Sequence, residues 1–400
     1  MPSNSILPGE ASTLLNRFLA FFGRHSIEKG LRAYERSLQT SRPLFRDYYL
    51  RKRHPWWEVL GHIFALENAG KSLKRNLTPD IKGLLRDAKK ITTLQESMSD
   101  AVRASYKRNL LDNENAKNYL FEISVAWHYY VKGATIEWSE DHGKQPEYLI
   151  KNKALAFNVE CKRFNVDTAR KIRRRDFYRL ADVLLPVIRE RGYGGQVAID
   201  LPGALGHDDA SLAALARQVV QVIAAGHTNG ETKTSAARIE LRLHKLEGEI
   251  VDLSRYYVAL YARKPPHAHA IISADSVSGQ PCDPIEFMLA SRKAEDIVEA
   301  VRKKISKGTS QLRADRPGLI ACFLEAVHWG ELATLSTDSA LQYMTNAELN
   351  KPHFSHVLGI AYCSEERVWE CHAVENSAYQ KLFFRNPRCT MATPELSAFV

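Results

Sequence analysis

Two acidic residues and a lysine stand close together in the segment QPEYLIKNKALAFNVECKRF, residues 145–164. Glu147 follows a proline, and Glu160 and Lys162 lie two residues apart at the end of an apolar run. Carboxylate oxygens are the ligands that Mg²⁺ prefers in proteins. A nearby lysine can orient a water molecule or stabilise negative charge that develops on a phosphate. These residue types and their spacing therefore predict metal-assisted chemistry on a phosphate ester.

Two strands must hold these side chains, EYLI and ALAFNVECKR, joined by a tight turn at KNK. Side chains alternate across a strand, so Glu160 and Lys162 share one face, roughly 7 Å apart, while Cys161 and its neighbours face the core. If the strands pair through the turn, Glu147 comes beside Glu160. Two converging carboxylates suit a divalent cation, Mg²⁺ or Mn²⁺. The alternative is a solvated Glu160 and Lys162 pair on an edge strand.

An acid after a proline, a short gap and then Glu-x-Lys at the end of an apolar strand resembles the pattern of the PD-(D/E)XK nuclease superfamily. The first acid of that pattern is usually Asp, and here it is Glu147, whereas Glu160 and Lys162 match the second half as they stand. The resemblance implies that Glu147 and Glu160 bind metal and that Lys162 positions or activates water. It also implies an assisting Glu on the preceding helix, a place that Glu122 occupies. The resemblance covers residues 111–200.

Glu122 stands in a helix predicted over NENAKNYLFEISVAWHYYVKG, which Gly133 ends. Its neighbours at helical spacing, Tyr119, Ala126 and Tyr129, are mostly apolar. An apolar stripe favours burial of that helix face, which would direct Glu122 towards the predicted site. The alternative is a surface position on an amphipathic helix.

Helices and strands alternate after residue 111 and predict an α/β or α+β body with a mixed sheet. A long helix, VDTARKIRRRDFYRLADVLLPVIRER, precedes the strand QVAIDL. After a polar loop, GHTNGETKTS, the strands RIELRLHKL, YYVALYA and HAIISA would form an inserted β-rich region around residues 235–275. A helix, the strand GLIACFLEA and a hairpin over HVLGIAYCSEERVWECHAV follow. The resemblance implies that residues 111–400 form a restriction-endonuclease-like core, a mixed central sheet flanked by helices.

Residues 1–110 show helical apolar spacing and predict a separate helical domain. They hold 20 Lys and Arg against 10 Asp and Glu, whereas residues 111–400 hold 36 of each, so the net charge of +10 is concentrated in the first quarter of the chain. This asymmetry predicts an acidic partner, with nucleic acid the leading candidate. A basic domain that is merely soluble is the alternative.

Two basic segments supply candidate phosphate contacts, FRDYYLRKRHPWW and ARKIRRR. The candidate residues are Arg51, Lys52, Arg53, Lys171, Arg173 and Arg174. Aromatics among cations suit stacking on bases and pairing with phosphates. The alternatives are that the aromatics of the first segment are core residues and that the second segment is the solvated face of a helix.

Several function classes are disfavoured by the sequence. Six scattered cysteines without a CxxC pair argue against a zinc ribbon or a disulfide scaffold, and favour a reducing compartment. Arg17 interrupts the apolar run LLNRFLAFF, so the sequence predicts no membrane partner and a cytoplasmic location. No GxxxxGK[ST] or GxGxxG motif is present. A metal-dependent endonuclease that acts on nucleic acid, with DNA favoured over RNA, is the leading hypothesis. The resemblance is compatible with a homodimer that cuts two strands, but the sequence leaves the oligomeric state open. The alternative is a catalytically inactive fold that binds nucleic acid or protein.

Overall fold

A computed structural model of the protein describes residues 6–140, 145–153, 155–265, 268–277, 280–327, 332, 340–364 and 382–400. Contacts divide the chain into two compact units. Unit 1 comprises Met1–Ser37, Arg53–Val166 and Val298–Val400. Unit 2 comprises Leu38–Lys52 and Asp167–Ile297. Among the residues described, none of the helices is both long enough and apolar enough to cross a membrane.

The longer helices are numbered in chain order. They are α1 (Ala11–Phe22), α2 (Arg24–Ser37), α3 (Trp57–Asn68), α4 (Pro79–Leu94), α5 (Asp100–Leu110), α6 (Ala116–Tyr130), α7 (Arg174–Glu190), α8 (Asp209–Ala224), α9 (Leu253–Arg263), α10 (Ile297–Thr309), α11 (Ala340–Leu349) and α12 (Pro394–Phe399). The side chains of Thr78 and Ser99 accept hydrogen bonds from the first turns of α4 and α5, which explains where these helices begin.

The strands are numbered in the same way. They are β1 (Thr135–Trp138), β2 (Tyr148–Asn152), β3 (Leu155–Asn165), β4 (Tyr193–Leu201), β5 (Asn229–Lys233), β6 (Arg238–Lys245), β7 (His269–Val277), β8 (Gln280–Ser291), β9 (Gly318–Glu325), β10 (Val357–Ser364) and β11 (Leu382–Arg385). They form two sheets, each with parallel and antiparallel neighbours. The predicted mixed α/β class is therefore confirmed.

The sheet of unit 1 has the order β1-β2-β3-β9-β10-β11. Strands β1, β2 and β3 are antiparallel neighbours, and β3, β9 and β10 run parallel. Helix α6 packs on the face that carries Phe323, whose ring stacks on Phe121 at 5.4 Å. Helix α10 packs on the opposite face, where Gly308 lies against Lys162 and Ile320. Strand β3 is an inner strand, so the alternative of an edge strand with a solvated pair is wrong.

The helices that precede this sheet in sequence pack around buried aromatic residues. Trp56 and Trp57 are each 1% exposed, and Trp56 Nε1 donates a hydrogen bond to Asp87 Oδ2 at 3.1 Å. These two tryptophans of the FRDYYLRKRHPWW segment are thus core residues, which agrees with the alternative that the aromatics of this segment are buried. Helices α1–α5 belong to the same unit as β1, β2 and β3, and neither unit has a boundary near residue 110.

The sheet of unit 2 has the order β5-β6-β4-β8-β7. Its apolar face packs against α7 and α8 around residues such as Leu184, Val219 and Phe287. The segment Leu38–Lys52 joins this unit because the backbone amides of Leu44 and Phe45 donate to the Asp182 carboxylate, each at 2.8 Å. The unit extends well beyond the β-rich region predicted around residues 235–275.

Three local predictions are corrected by the structure, and a fourth falls partly outside the described residues. YYVALYA lies in helix α9, which Asp252 caps by accepting from the Ser254 amide at 2.9 Å. Part of the predicted loop GHTNGETKTS is strand β5. The predicted helix over residues 166–191 begins only at Arg174, because Asp167 Oδ1 accepts from the Arg174 amide at 2.6 Å. Strand β10 pairs with β11 in an antiparallel arrangement. The second half of the predicted hairpin, residues 365–374, lies outside the described residues.

Candidate active site

The hairpin of β2 and β3 brings the two predicted metal ligands together. Tyr148 pairs with Val159, so one step further along the ladder Glu147 comes opposite Glu160. The chain turns at Lys153, the last residue of the predicted KNK turn, whose φ is 52°, whereas Lys151 and Asn152 still pair within the ladder. Glu160 is fully buried, and Glu147 is 9% exposed. The convergence that the sequence predicted is therefore present, and it lies inside the protein.

Lys162 shares the site through two hydrogen bonds. Its Nζ donates to Glu160 Oε1 and to the Gln311 side-chain oxygen. A Cβ built at Gly308 would lie 3.4 Å from Lys162 Cγ and Cε, an ordinary contact distance, so α10 packs directly beside the stem of the lysine. Gln311 was missed by sequence reasoning, because only the tertiary fold places it beside a lysine that precedes it by 149 residues.

Glu122 lies on α6 with its carboxylate held from two directions. The Tyr106 hydroxyl donates to Oε2 at 2.6 Å, and Asn118 Nδ2 donates to Oε1 at 2.6 Å. The Tyr148 hydroxyl donates to the Glu122 backbone oxygen at 3.2 Å. Glu122 is 2% exposed, so the alternative of a surface position is wrong. Asn118 stands one helical turn before Glu122, a spacing that the sequence shows, whereas nothing in the sequence pairs Tyr106 with it.

The buried carboxylates perturb one another. Burial raises the pKa of Glu122 well above its ordinary value, and the charge of Glu147 raises it further. Burial also raises the pKa of Glu160 to about 8; Glu147 adds to this rise, and Lys162 opposes it. The pKa of the Tyr106 hydroxyl is raised by burial and by Glu122, so it remains a hydrogen-bond donor at neutral pH. The cluster holds more negative charge than its lysine balances, which favours uptake of protons or of a cation.

The donor set fits a hard divalent cation. Glu160 Oε2 is buried and has no hydrogen-bond partner among the residues that the structure describes. No group of three or more His, Cys, Asp or Glu side chains in the described part of the chain is arranged to hold a metal ion. Mg²⁺ commonly takes only one or two protein carboxylates and keeps several waters. Glu147 and Glu160 would supply such a pair, with the remaining ligands from water or substrate.

Most of the predicted phosphate contacts lie in a different unit from the carboxylates and Lys162. Arg53 belongs to unit 1, and the other five candidates belong to unit 2; these are Arg51, Lys52, Lys171, Arg173 and Arg174. Several are partly neutralised: Arg51 Nε pairs with Asp47 at 3.0 Å, Lys171 pairs with Asp296, and Arg53 pairs with Glu114. Glu122, Glu147, Glu160 and Lys162 all lie in unit 1. The four site residues are thus gathered in one unit, and most of the predicted phosphate contacts lie in the other.

Comparisons with protein-family models, with curated proteins and with solved structures found no significant match to this chain.

Replacing Tyr106 by phenylalanine is expected to lower the free energy of unfolding by about 1–3 kcal/mol at neutral pH, because buried Glu122 Oε2 loses its donor. Urea denaturation measures this change. Tyr130→Phe is the matched control, since it removes a hydroxyl from a half-buried position on α6 outside the carboxylate cluster. Equal stability of Tyr106→Phe and the wild-type protein would show that this hydrogen bond does not support the site.

Proposed function

We propose that the protein is a metal-dependent nuclease that hydrolyses phosphodiester bonds in nucleic acid, with DNA favoured over RNA. The proposal depends on one observation: Glu147, Glu160 and Lys162 converge in a buried cluster in which a carboxylate oxygen of Glu160 has no partner among the described residues. A buried carboxylate without a partner is costly unless a bound ligand satisfies it. Clustered perturbed groups of this kind are typical of functional sites.

The architecture of unit 1 is compatible with the restriction-endonuclease-like core that the sequence pattern suggests. Its central sheet is mixed, and α6 and α10 cover opposite faces of the motif strand β3. The two strands of the motif are neighbours, and the helix before them supplies Glu122. These features support placing the chain with PD-(D/E)XK nucleases, on the same residues that suggested the resemblance.

Each residue has a separate role in this proposal. Glu147 and Glu160 would hold Mg²⁺ or Mn²⁺, which when bound lowers the pKa of a water ligand and polarises a phosphoryl oxygen. Lys162 is held by Glu160 and Gln311, so its ammonium can orient the attacking water or stabilise charge on the phosphate. Glu122 supports the cluster from α6 through its negative charge and its hydrogen bonds.

The test is cleavage by the purified full-length protein. Single- and double-stranded DNA and RNA are incubated with Mg²⁺, with Mn²⁺ or with EDTA, beside Glu147→Gln and Glu160→Gln. We expect cleavage by the wild-type protein only with a divalent cation, and a loss of about 10²-fold or more in either variant, because each removes a charged metal ligand. Cleavage that persists in EDTA, or in both variants, would contradict the site.

A catalytically inactive nuclease-like fold that binds nucleic acid or protein is the second candidate. The observation that favours it is Glu147 itself, because its side chain is one methylene longer than the Asp usual at this position. The extra methylene moves the carboxylate by more than about 1 Å, and Mg²⁺ requires near-ideal geometry. Under this candidate the wild-type protein binds nucleic acid but cleaves none of the four substrates with either cation. Gain of cleavage in Glu147→Asp would identify the methylene as the cause.

A further inference from the structure

A groove of about 510 Å³ lies on the helical part of unit 1. Helix α1 contributes Arg17 and Phe21, and helix α5 contributes Arg103 and Lys107. The C-terminal part of α4 and the turn after it close the groove with polar residues, among them Gln95.

The charge of the groove is positive. Its three cations, Arg17, Arg103 and Lys107, face a single acid, Glu96. The Arg103 guanidinium donates to the backbone oxygens of Gln95 at 3.3 Å and Met98 at 3.1 Å, and it pairs with the exposed Asp100 carboxylate at 3.3 Å, while its side chain stays 35% exposed. A guanidinium held in this way loses little further conformational freedom when it binds a phosphate, which would compete with Asp100 for it.

Lys107 is also held in place. Its ammonium lies 4.8 Å from the centre of the Phe21 ring, so a cation–π contact restrains it at the groove. Arg103 and Lys107 are four residues apart on α5, so they project from one face of the helix, about 6 Å apart along its axis. Cations in such a row suit a chain of phosphates better than an isolated anion.

Helix α5 links the groove to the carboxylate cluster. Tyr106 stands next to Lys107 in sequence, and its hydroxyl donates to Glu122 at 2.6 Å. One helix therefore presents cations to the groove on one face and contacts the cluster with another. The groove and the cluster lie in the same compact unit. A strand of nucleic acid bound in the groove would therefore contact the same helix that supports the cluster.

We propose that this groove binds the phosphate backbone of the nucleic-acid strand that the cluster cleaves. The inference rests on the proposed function, which identifies the bound strand as nucleic acid. The groove is then the site that positions this strand. Binding through phosphates is independent of base sequence and weakens steeply with salt.

The test measures binding without cleavage. The affinity of the full-length protein for single-stranded DNA is measured in EDTA over a series of NaCl concentrations, with RNA and double-stranded DNA as further substrates. The double variant Arg17→Glu/Lys107→Glu is expected to bind at least about 10-fold more weakly at low salt. The slope of log Kd against log salt concentration is expected to fall by about 1.5, since each phosphate contact contributes about 0.7–0.9.

The matched control is Lys29→Glu/Arg32→Glu, which makes the same change of net charge at exposed positions on α2, away from the groove. Thermal unfolding of both double variants verifies that each is folded. Equal loss of affinity in the two double variants, or an unchanged salt slope in Arg17→Glu/Lys107→Glu, would overturn the groove assignment. Absence of cleavage by a wild-type protein that binds through the groove would overturn the proposed function and leave the groove in place.

Discussion

Replacing Lys162 by methionine is expected to slow cleavage by about 10²- to 10⁴-fold while divalent-cation binding persists. In the proposed function the lysine is the one group of the cluster that positions water or phosphate, and the loss of a positioned acid, base or charge stabiliser has effects of this size. Methionine preserves the unbranched stem that packs beside Gly308 but removes the ammonium that Glu160 and Gln311 hold. Single-turnover cleavage rates measure the first effect, and stabilisation of the protein by Mn²⁺ measures the second.

Two comparisons make the result specific to Lys162. Lys151→Met removes a half-exposed lysine of β2 that pairs with Glu137 on the edge strand β1. The Lys151→Met protein is expected to cleave at the wild-type rate. Glu160→Gln is expected to lose both cleavage and stabilisation by Mn²⁺, because it removes a proposed metal ligand. A Lys162→Met protein that cleaves as fast as Lys151→Met would exclude a role for the lysine in the reaction.

Replacing Glu160 by glutamine is expected to stabilise the cation-free protein at pH 8.5, by about 2–4 kcal/mol of unfolding free energy. Burial and Glu147 raise the pKa of Glu160 to about 8, from an ordinary value near 4.5. A carboxyl whose pKa is raised by folding contributes stability that is fully present below its unfolded pKa and is lost as the pH rises through its folded pKa. Glutamine mimics the protonated form at every pH, so it avoids this loss.

The pH dependence of this stabilisation shows whether titration of Glu160 causes it. In EDTA the difference in unfolding free energy between Glu160→Gln and the wild-type protein is expected to shrink as the pH falls from 8.5 towards 5, where Glu160 is protonated in the folded state. Denaturant unfolding at several pH values measures this difference. Glu137→Gln, at a half-exposed position on β1, is the control and is expected to show little change. A difference that is constant with pH would mean that Glu160 does not titrate in this range.

The local part of the site could be predicted from the sequence. Alternation along ALAFNVECKR placed Glu160 and Lys162 on one strand face, and the short distance between the two runs brought Glu147 beside Glu160. The apolar stripe of α6 predicted that Glu122 is buried. These features are local, because they depend on side-chain period and on a tight turn within about 40 residues.

The remaining features depend on contacts between distant parts of the chain. Residues 167–297 build a second sheet, which the sequence suggested only as a smaller β-rich region, because strand pairing such as β4 with β8 joins segments about 90 residues apart. The segment YYVALYA was predicted as a strand, because periodicity alone does not separate a short apolar strand from a helix, and it lies in helix α9.

By itself the sequence determined which residue types are available for phosphate chemistry and which strand carries them. Only the tertiary structure decided that β3 is an inner strand, that Glu160 is fully buried, and that Gln311 and Tyr106 complete the cluster. The physical reason is that burial and charge coupling depend on what packs around a side chain in three dimensions. Those interactions raise the pKa values of Glu122 and Glu160, and no local pattern encodes them.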